Sequence, residues 1–210
     1  MSAAPVVNAM PGTIVVLGIG NLLWADEGFG VRCLQRLAAG YEFPPSVQLI
    51  DGGTQGLYLL PLVQEAERLL ILDAIDYGLP PGSLRRIDGD AVPAYLSAKK
   101  MSLHQTGFQE VLALARFTGS APRETTLIGC QPESLDDYGG SLRESVRAAL
   151  EPAQRMALDV LAGWGVEPHA RTRPDTDTSG LSLARYEAER PSAEAACRIG
   201  DSRVFAGAMR

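Results

Sequence analysis

Apolar residues along the chain form short unbroken runs separated by segments in which they recur every three or four positions. The runs at Thr13 to Ile19 and Leu69 to Asp73 do not alternate with polar residues, which predicts strands covered on both faces, as in a parallel sheet. We predict a strand between them at Val47 to Asp51 and a last strand, rich in β-branched residues, at Glu124 to Pro132. Leu84 to Asp88 alternate after turn residues, which indicates an antiparallel edge strand.

The segments with helical spacing lie between these strands. Asp26 is a candidate cap for a helix whose apolar positions recur at helical spacing before Gly40 closes it. Further helices are predicted before Leu69, at Thr106 to Phe117, and from near Leu142 to Gly163, where Pro152 kinks the helix or starts a second segment. Strands that alternate with helices predict right-handed parallel crossovers, and therefore an α/β fold with a mostly parallel sheet of about five strands.

Length and composition fit one soluble folded domain followed by a tail. The chain has 210 residues, of which 46% are hydrophobic and 21% charged, and no apolar run approaches the roughly 18 residues that span a bilayer. The N-terminus lacks the basic region of a signal peptide, so we expect a cytoplasmic protein without membrane contact. Residues from 168 onward are rich in Arg, Ala, Ser and Pro without periodicity; we predict a folded domain over 1–167 and a disordered tail over 168–210.

Charge and cysteine content exclude several classes of partner and site. The formal net charge of −6 argues against a nucleic-acid partner. Cys33, Cys130 and Cys197 are widely spaced and form no C-x-x-C pair, which supports neither a disulfide framework nor a zinc ribbon. A cysteine nucleophile would need Cys33 or Cys130 beside the histidine at 104, and the position of Cys33 in the middle of a packed helix argues against that arrangement.

Carboxylates gather where the predicted strands end. Ligands of open parallel sheets bind beyond the carboxyl ends of the strands. Asp51, Gly52, Gly53 and Thr54 follow the second strand. Asp26, Asp51 and Asp76 are equally well explained as helix caps or turn formers.

Glu27 and Asp73 are harder to explain as structural residues. Glu27 lies in a glycine-flanked first helical turn, where the helix dipole favours its ionised form. Asp73 interrupts the apolar run LLILDAI, where a charge costs several kcal/mol unless it is paired or ligated. His104 precedes the next predicted helix and can approach both carboxylates. Two carboxylates and one imidazole are a plausible ligand set for a borderline divalent metal such as nickel or zinc.

The sequence lacks several familiar catalytic and nucleotide-binding motifs. The sequence contains no H-E-x-x-H, no G-x-S-x-G and no G-x-x-x-x-G-K-[ST]. The segment GIGNLL lacks the third glycine of the dinucleotide fingerprint, and the acids that follow it would repel a phosphate. We therefore expect no nucleotide cofactor.

Taken together, these segments resemble the hydrogenase maturation proteases, endopeptidases that trim the C-terminus of the nickel-iron hydrogenase large subunit. The resemblance runs from GIGNLLWADEGFGVR through DGGTQG, LLILDAID, MSLHQTGF and GCQPESL, covering roughly residues 13–165. It implies a three-layer α/β/α sandwich around a twisted sheet, acting as a cytoplasmic monomer on a precursor that already holds nickel.

The resemblance also implies roles for particular residues. The family's metal ligands fall on Glu27, Asp73 and His104, and the metal is the nickel of the substrate precursor rather than a resident cofactor. Asp51, Gly52, Gly53 and Thr54 belong to the DGGTQG hallmark, which implies that they shape the cleft around the C-terminal segment of the substrate.

Two questions stay open at the level of sequence. Glu27 and Asp73 are the candidate catalytic acid/base pair, and either this carboxylate pair or the metal could activate the attacking water. The second question is whether the protein cuts at all. A non-catalytic checkpoint or chaperone that binds the nickel-loaded precursor would carry the same site residues.

Overall fold

The computed structural model describes residues 12–93, 103–135, 137–172 and 182–189, with the backbone alone for 103–107. Its strands are β1 (Ile14–Ile19), β2 (Tyr41–Glu42), β3 (Val47–Gly53), β4 (Arg68–Ala74), β5 (Leu84–Asp88), β6 (Glu124–Cys130) and β7 (His169–Ala170). Its helices are α1 (Phe29–Gly40), α2 (Leu60–Glu65), α3 (Leu103–Phe117), α4 (Glu144–Ala148), α5 (Leu150–Gly163) and α6 (Leu183–Glu189), with 3-10 turns at Ala25–Gly28 and Gly56–Leu59.

The main sheet has five strands in the order β3-β1-β4-β6-β5. Four of them are parallel, and β5 pairs with β6 in the antiparallel direction. The predicted strands, including the antiparallel edge strand at Leu84–Asp88, are therefore confirmed. Their unbroken apolar runs follow from burial of the central strands on both faces.

Two hydrophobic cores lie on opposite faces of this sheet. Alternate residues of β4 divide between them: Leu70 and Leu72 pack with α1 and α5, whereas Leu69 and Ile71 pack with α2 and α3. The result is the three-layer α/β/α sandwich with a mostly parallel five-stranded sheet that the sequence and its resemblance predicted.

Helix boundaries differ from the predictions in two places. The third predicted helix begins at Leu103 rather than Thr106, so His104 belongs to its first turn instead of a preceding loop. The last predicted helix consists of α4 and α5, which meet at Ala149, and Pro152 lies in the first turn of α5. A proline is tolerated there because the N–H groups of a first helical turn have no partner within the helix.

The region predicted to be a disordered tail contains two ordered segments. His169–Ala170 form β7 and pair with β2, and α6 contacts residues 140–147. The order of these two segments comes from contacts with distant parts of the chain and leaves no periodic pattern in the sequence. Residues 173–181 and 190–210 lie outside the described residues, so the domain boundary at 167 stays a prediction.

No helix in the described ranges is both long and apolar enough to cross a membrane.

Candidate active site

The four parallel strands bring their carboxyl ends to one edge of the sheet, which we call the carboxyl rim (Ile19, Gly53, Ala74 and Cys130). Gly18 near the end of β1 pairs with Asp51 on one side and Leu72 on the other. Asp51 and Asp73 therefore flank β1, two strand spacings or about 10 Å apart. Both acids therefore lie near the carboxyl ends of their strands, as the sequence predicted, but the register does not bring their side chains into contact.

Asp73 is a buried carboxylate at the end of β4, with 3% of its surface exposed. Side chains alternate along a strand, so Asp73 projects to the same face of the sheet as Leu69 and Ile71. Its Oδ1 accepts the backbone N–H of Ala74 at 2.8 Å. Burial and polar contact together keep this carboxylate in a defined position rather than in solvent.

The backbone of His104 lies at the same rim. Helix α3 packs on the Asp73 face of the sheet through Phe108 and Val111. It has 15 residues, a length of about 22 Å, which matches the strands, and it leads back to the amino end of β6. Its first turn therefore lies beside the carboxyl rim. The side chain of His104 is outside the described part of the structure, so its contact with Asp73 stays a prediction.

Glu27 reaches the rim in the 3-10 turn Ala25–Gly28, which contacts β4. Two glycines allow this approach. A Cβ atom at Gly20 would lie 1.7 Å from the carbonyl oxygen of Glu27, and one at Gly30 would lie 2.1 Å from the carbonyl oxygen of Leu72. Glu27 is itself buried, with 9% of its surface exposed. The GIGNLLWADEGFG segment thus places a second buried carboxylate where the strands end.

Asp26 does not cap a helix, contrary to one interpretation of the sequence. The 3-10 turn and α1 have no side-chain cap hydrogen bond. The Asp26 carboxylate instead accepts backbone N–H groups from Glu133, Ser134 and Arg143. These donors are more than a hundred positions away along the chain, which is why helix-cap rules did not identify them.

A segment after β6 lies against the Glu27 turn; we call it the cover segment (residues 131–135 and 137–143). Gly139 donates its N–H to the carbonyl oxygen of Leu23 at 2.7 Å. The rings of Trp24 and Tyr138 are in tilted contact, with their centroids 5.3 Å apart and their planes at 59°. The cover segment therefore packs against the segment that carries Glu27, next to the carboxyl rim.

Gln131 is a site residue that the sequence analysis missed. Its buried side-chain amide accepts the backbone N–H groups of Tyr77 and Leu79 and donates to the carboxylate of Asp76. These groups belong to the loop that follows Asp73, so Gln131 fixes that loop to the end of β6. Two features of the sequence pointed to Gln131: it directly follows a buried strand, and it lies in the GCQPESL motif.

Of the predicted substrate-binding residues, Asp51, Gly52 and Gly53 are the last three residues of β3, and Thr54 follows the strand. The Asp51 carboxylate accepts the N–H of Gly53 at 2.9 Å, and the carbonyl oxygen of Gly53 accepts the N–H of Gly20. Gly53 has a φ of +45°, which favours glycine. Asp51 and Thr54 are exposed. The hydrogen bond between Gly20 and Gly53 links the end of β3 to the end of β1. A contact between these residues and the substrate stays a prediction.

The two described cysteines are not nucleophiles. Burial raises the pKa of Cys33 to about 12. The pKa of Cys130 is also raised to about 12, mainly by burial and further by the nearby charge of Asp26. Both thiols therefore stay protonated at neutral pH, which agrees with the prediction that they are reduced and have no catalytic role.

The described residues contain no group of three or more His, Cys, Asp and Glu side chains that could hold a metal. Glu27 and Asp73 are among those residues, whereas the side chain of His104 is not. Two buried carboxylates at a sheet rim can transfer protons to and from a substrate or contact a metal that the substrate carries. The fold and these side chains define an α/β protein with two buried carboxylates at the carboxyl ends of its parallel strands.

Comparisons with known proteins identify the class more closely. A sequence model of the family described as hydrogenase maturation protease matches residues 31–160. The chain is 61% identical over 197 residues to the hydrogenase expression/formation protein HoxM of Cupriavidus necator, with 91% of this chain and 98% of that protein covered. It is 42% identical to the hydrogenase 2 maturation protease of Escherichia coli, over 73% of this chain and 93% of the relative.

Solved structures agree with the sequence comparisons. The hydrogenase maturating endopeptidase HybD from E. coli superposes with a TM-score of 0.73 at 40% identity, covering 76% of this chain and 98% of that one. The chain therefore belongs to the hydrogenase maturation protease family, and it is a hydrolase that cuts peptide bonds. The resemblance drawn from GIGNLLWADEGFGVR and the other motifs is confirmed.

Proposed function

We propose that this endopeptidase removes the C-terminal extension from the precursor of a nickel-iron hydrogenase large subunit after nickel has been inserted. Glu27, Asp73 and His104 contact the nickel that the precursor carries, and this contact brings the scissile peptide to the carboxyl rim. The enzyme acts as a cytoplasmic monomer and needs neither a nucleotide nor a resident metal cofactor.

The observation that carries this proposal is the pair of buried carboxylates at one rim. Glu27 and Asp73 come from different segments, and both are at least nine-tenths buried. Burial of ionisable groups is costly unless they are paired or ligated, so two buried carboxylates at the ligand-binding end of a parallel sheet favour a functional site. The first turn of α3 on the Asp73 face supports the placement of His104 as the third ligand.

The same pair supports an acid/base mechanism for peptide hydrolysis. One carboxylate accepts a proton from the attacking water as its oxygen bonds to the scissile carbonyl carbon. The second, in its protonated form, donates a proton to the leaving amine nitrogen as the C–N bond breaks. Polarisation of the carbonyl by the nickel of the substrate is a second route to the same products. In either route Glu27 and Asp73 exchange the protons and His104 binds as a neutral nitrogen ligand.

The test compares two forms of one substrate. Purified enzyme is incubated with nickel-loaded and with nickel-free large-subunit precursor, and the mass of each precursor is measured. We expect loss of a C-terminal peptide from the loaded form only. Equal cleavage of both forms would contradict recognition through nickel. An unchanged mass in both would contradict the proteolytic role and leave the checkpoint alternative.

Variants test the residue assignments in the same assay. Glu27→Gln removes the carboxylate charge without changing its shape, and we expect the cleavage rate to fall by about two orders of magnitude or more. Glu133→Gln is the matched control, because Glu133 is an exposed carboxylate on the cover segment and the substitution makes the same charge change. Similar losses in both variants would contradict a specific role for Glu27.

A further inference from the structure

Asp26 is a fully buried carboxylate, with none of its surface exposed, and the proposed chemistry does not use it. We propose that Asp26 is a positioning residue for cleavage: it locks the cover segment to the turn that carries Glu27 and so fixes the location of the Glu27 carboxylate. This inference rests on the proposed function of Glu27 and extends it to a residue that touches neither substrate nor nickel.

Both oxygens of Asp26 are engaged by the cover segment. Oδ2 accepts the N–H groups of Glu133 and Ser134, each at 2.9 Å, and Oδ1 accepts the N–H of Arg143 at 2.7 Å. The backbone N–H of Asp26 donates in return to the carbonyl oxygen of Ser134 at 3.2 Å. Hydrogen bonds to an ionised carboxylate are about twice as strong as neutral ones. The Asp26 side chain thus binds both ends of the cover segment.

The middle of the cover segment holds the same turn from another side. Gly139 donates to the carbonyl oxygen of Leu23, and the ring of Tyr138 makes a tilted contact with the ring of Trp24. Leu23, Trp24 and Asp26 are therefore each held by a contact from the cover segment. A residue that fixes the cover segment against this turn therefore also fixes the position of the Glu27 turn at the carboxyl rim.

The turn needs such support because its backbone is strained. Ala25 has a φ of +37°, a left-handed conformation that costs a non-glycine residue about 1–2 kcal/mol. Strain of this kind persists only where surrounding contacts hold it. Asp26 lies between the strained Ala25 and the proposed catalytic Glu27, so loss of its hydrogen bonds allows the turn to relax and carries Glu27 with it.

This role differs from a general contribution to stability. A displacement of about 1 Å in a reacting group costs on the order of a hundredfold in rate, while the folded state loses only a few hydrogen bonds. Asp73 and His104 keep their proposed contacts with the nickel of the precursor, so we expect binding of the precursor to change less than the rate of cleavage. We therefore expect the turnover number to fall and the Michaelis constant to stay nearly constant.

A pair of substitutions at position 143 isolates one of the three hydrogen bonds. Arg143 has a φ of −63°, within the range that proline requires, so Arg143→Pro deletes the N–H that Asp26 accepts. Arg143→Ala is the matched control. Both variants lose the guanidinium group and its ion pair with Asp137, but only the alanine variant keeps the N–H.

The measurement is steady-state cleavage of nickel-loaded precursor by folded variants. We expect kcat of Arg143→Pro to lie about tenfold or more below that of Arg143→Ala, with KM within about twofold. Asp26→Asn, which replaces one acceptor oxygen by a donor, serves as the second variant and gives the same pattern even if the proline variant does not fold.

Equal kcat values for the proline and alanine variants, or full activity of Asp26→Asn, would overturn the positioning role. A rise in KM without loss of kcat would also overturn it and assign the cover segment to substrate binding. If wild-type enzyme itself does not cut the loaded precursor, the proposed function fails instead, so the two failures are distinguishable.

Discussion

Gly20 and Glu27 meet through their backbones: a Cβ atom at Gly20 would stand 1.7 Å from the carbonyl oxygen of Glu27. Gly20 also has a φ of +133°, which side chains rarely allow. The turn that leaves β1 is therefore folded directly against the turn that carries the proposed catalytic glutamate. Glycine at position 20 is a requirement of the active site as well as of the backbone.

Gly20→Ala is expected to reduce cleavage by more than tenfold, because the new methyl group pushes the Glu27 turn away from the rim. Gly119→Ala is the control, since Gly119 also has a positive φ but a Cβ there meets nothing within 4 Å. Thermal unfolding and precursor cleavage are measured for both. We expect each variant to lose stability by about 1–2 kcal/mol or more and only Gly20→Ala to lose activity. Equal activity in the two would contradict the contact.

Much of the fold could be predicted from local patterns. The unbroken run Leu69 to Asp73 indicated a strand buried on both faces, and an acid at its end indicated a functional site. Both inferences depend on the chemistry of a few adjacent residues. The two-residue strands Tyr41–Glu42 and His169–Ala170 could not be predicted, because two residues carry no periodicity and their pairing joins distant parts of the chain.

The hydrogen bonds around the site were harder to predict from the sequence. Asp26 had the position of a helix cap, but its partners lie 107 to 117 positions away, and only the tertiary fold selects between the two roles. Gln131 likewise serves a loop 52 to 55 positions earlier. Local propensity identifies residues suited to hydrogen bonding; it does not identify their partners.

Gln131→Ala is expected to destabilise the protein by about 1–2 kcal/mol, because the partly buried N–H groups of Tyr77 and Leu79 lose their acceptor. Cleavage should also slow, since this loop follows Asp73. The free energy of unfolding from denaturant titration and the cleavage rate are compared with those of Gln48→Ala, an exposed glutamine on β3. Equal unfolding free energies in the two variants would contradict the role of the Gln131 amide.

Helix α6 should stabilise the cover segment through Glu187, which accepts hydrogen bonds from Ser141 and Arg147. Glu187→Ala is expected to cost about 1 kcal/mol and to speed hydrogen exchange around residues 140–147. Glu189→Ala is the control, because the hydrogen bond that Glu189 accepts comes from Arg185 of the same helix. Unchanged exchange in Glu187→Ala would contradict the docking of α6.

The buried cysteines predict a dependence of stability on pH. The pKa of Cys33 is 9.0 in an exposed state and about 12 in the fold, so its contribution to stability is complete below pH 9 and is lost as the pH rises from 9 to 12. We expect the unfolding free energy of the wild type to fall more steeply over this range than that of Cys33→Ala. Parallel curves would contradict the raised pKa.

The same burial predicts that Cys33 and Cys130 resist alkylation. Iodoacetamide at neutral pH should leave both thiols unmodified in the native protein and modify both after unfolding in guanidinium. Peptide mass mapping reports each site separately. Rapid native alkylation at Cys33 or Cys130, accompanied by loss of cleavage, would reopen the cysteine mechanism.

The convergence of Glu27, Asp73 and His104 on one nickel ion can be measured by anomalous diffraction at the nickel edge, with Ni²⁺ added to crystals of the enzyme. We predict a single strong peak within about 2.0–2.3 Å of a carboxylate oxygen of Glu27, a carboxylate oxygen of Asp73 and an imidazole nitrogen of His104. A nickel peak held by other residues, with the three side chains apart, would contradict the proposed site.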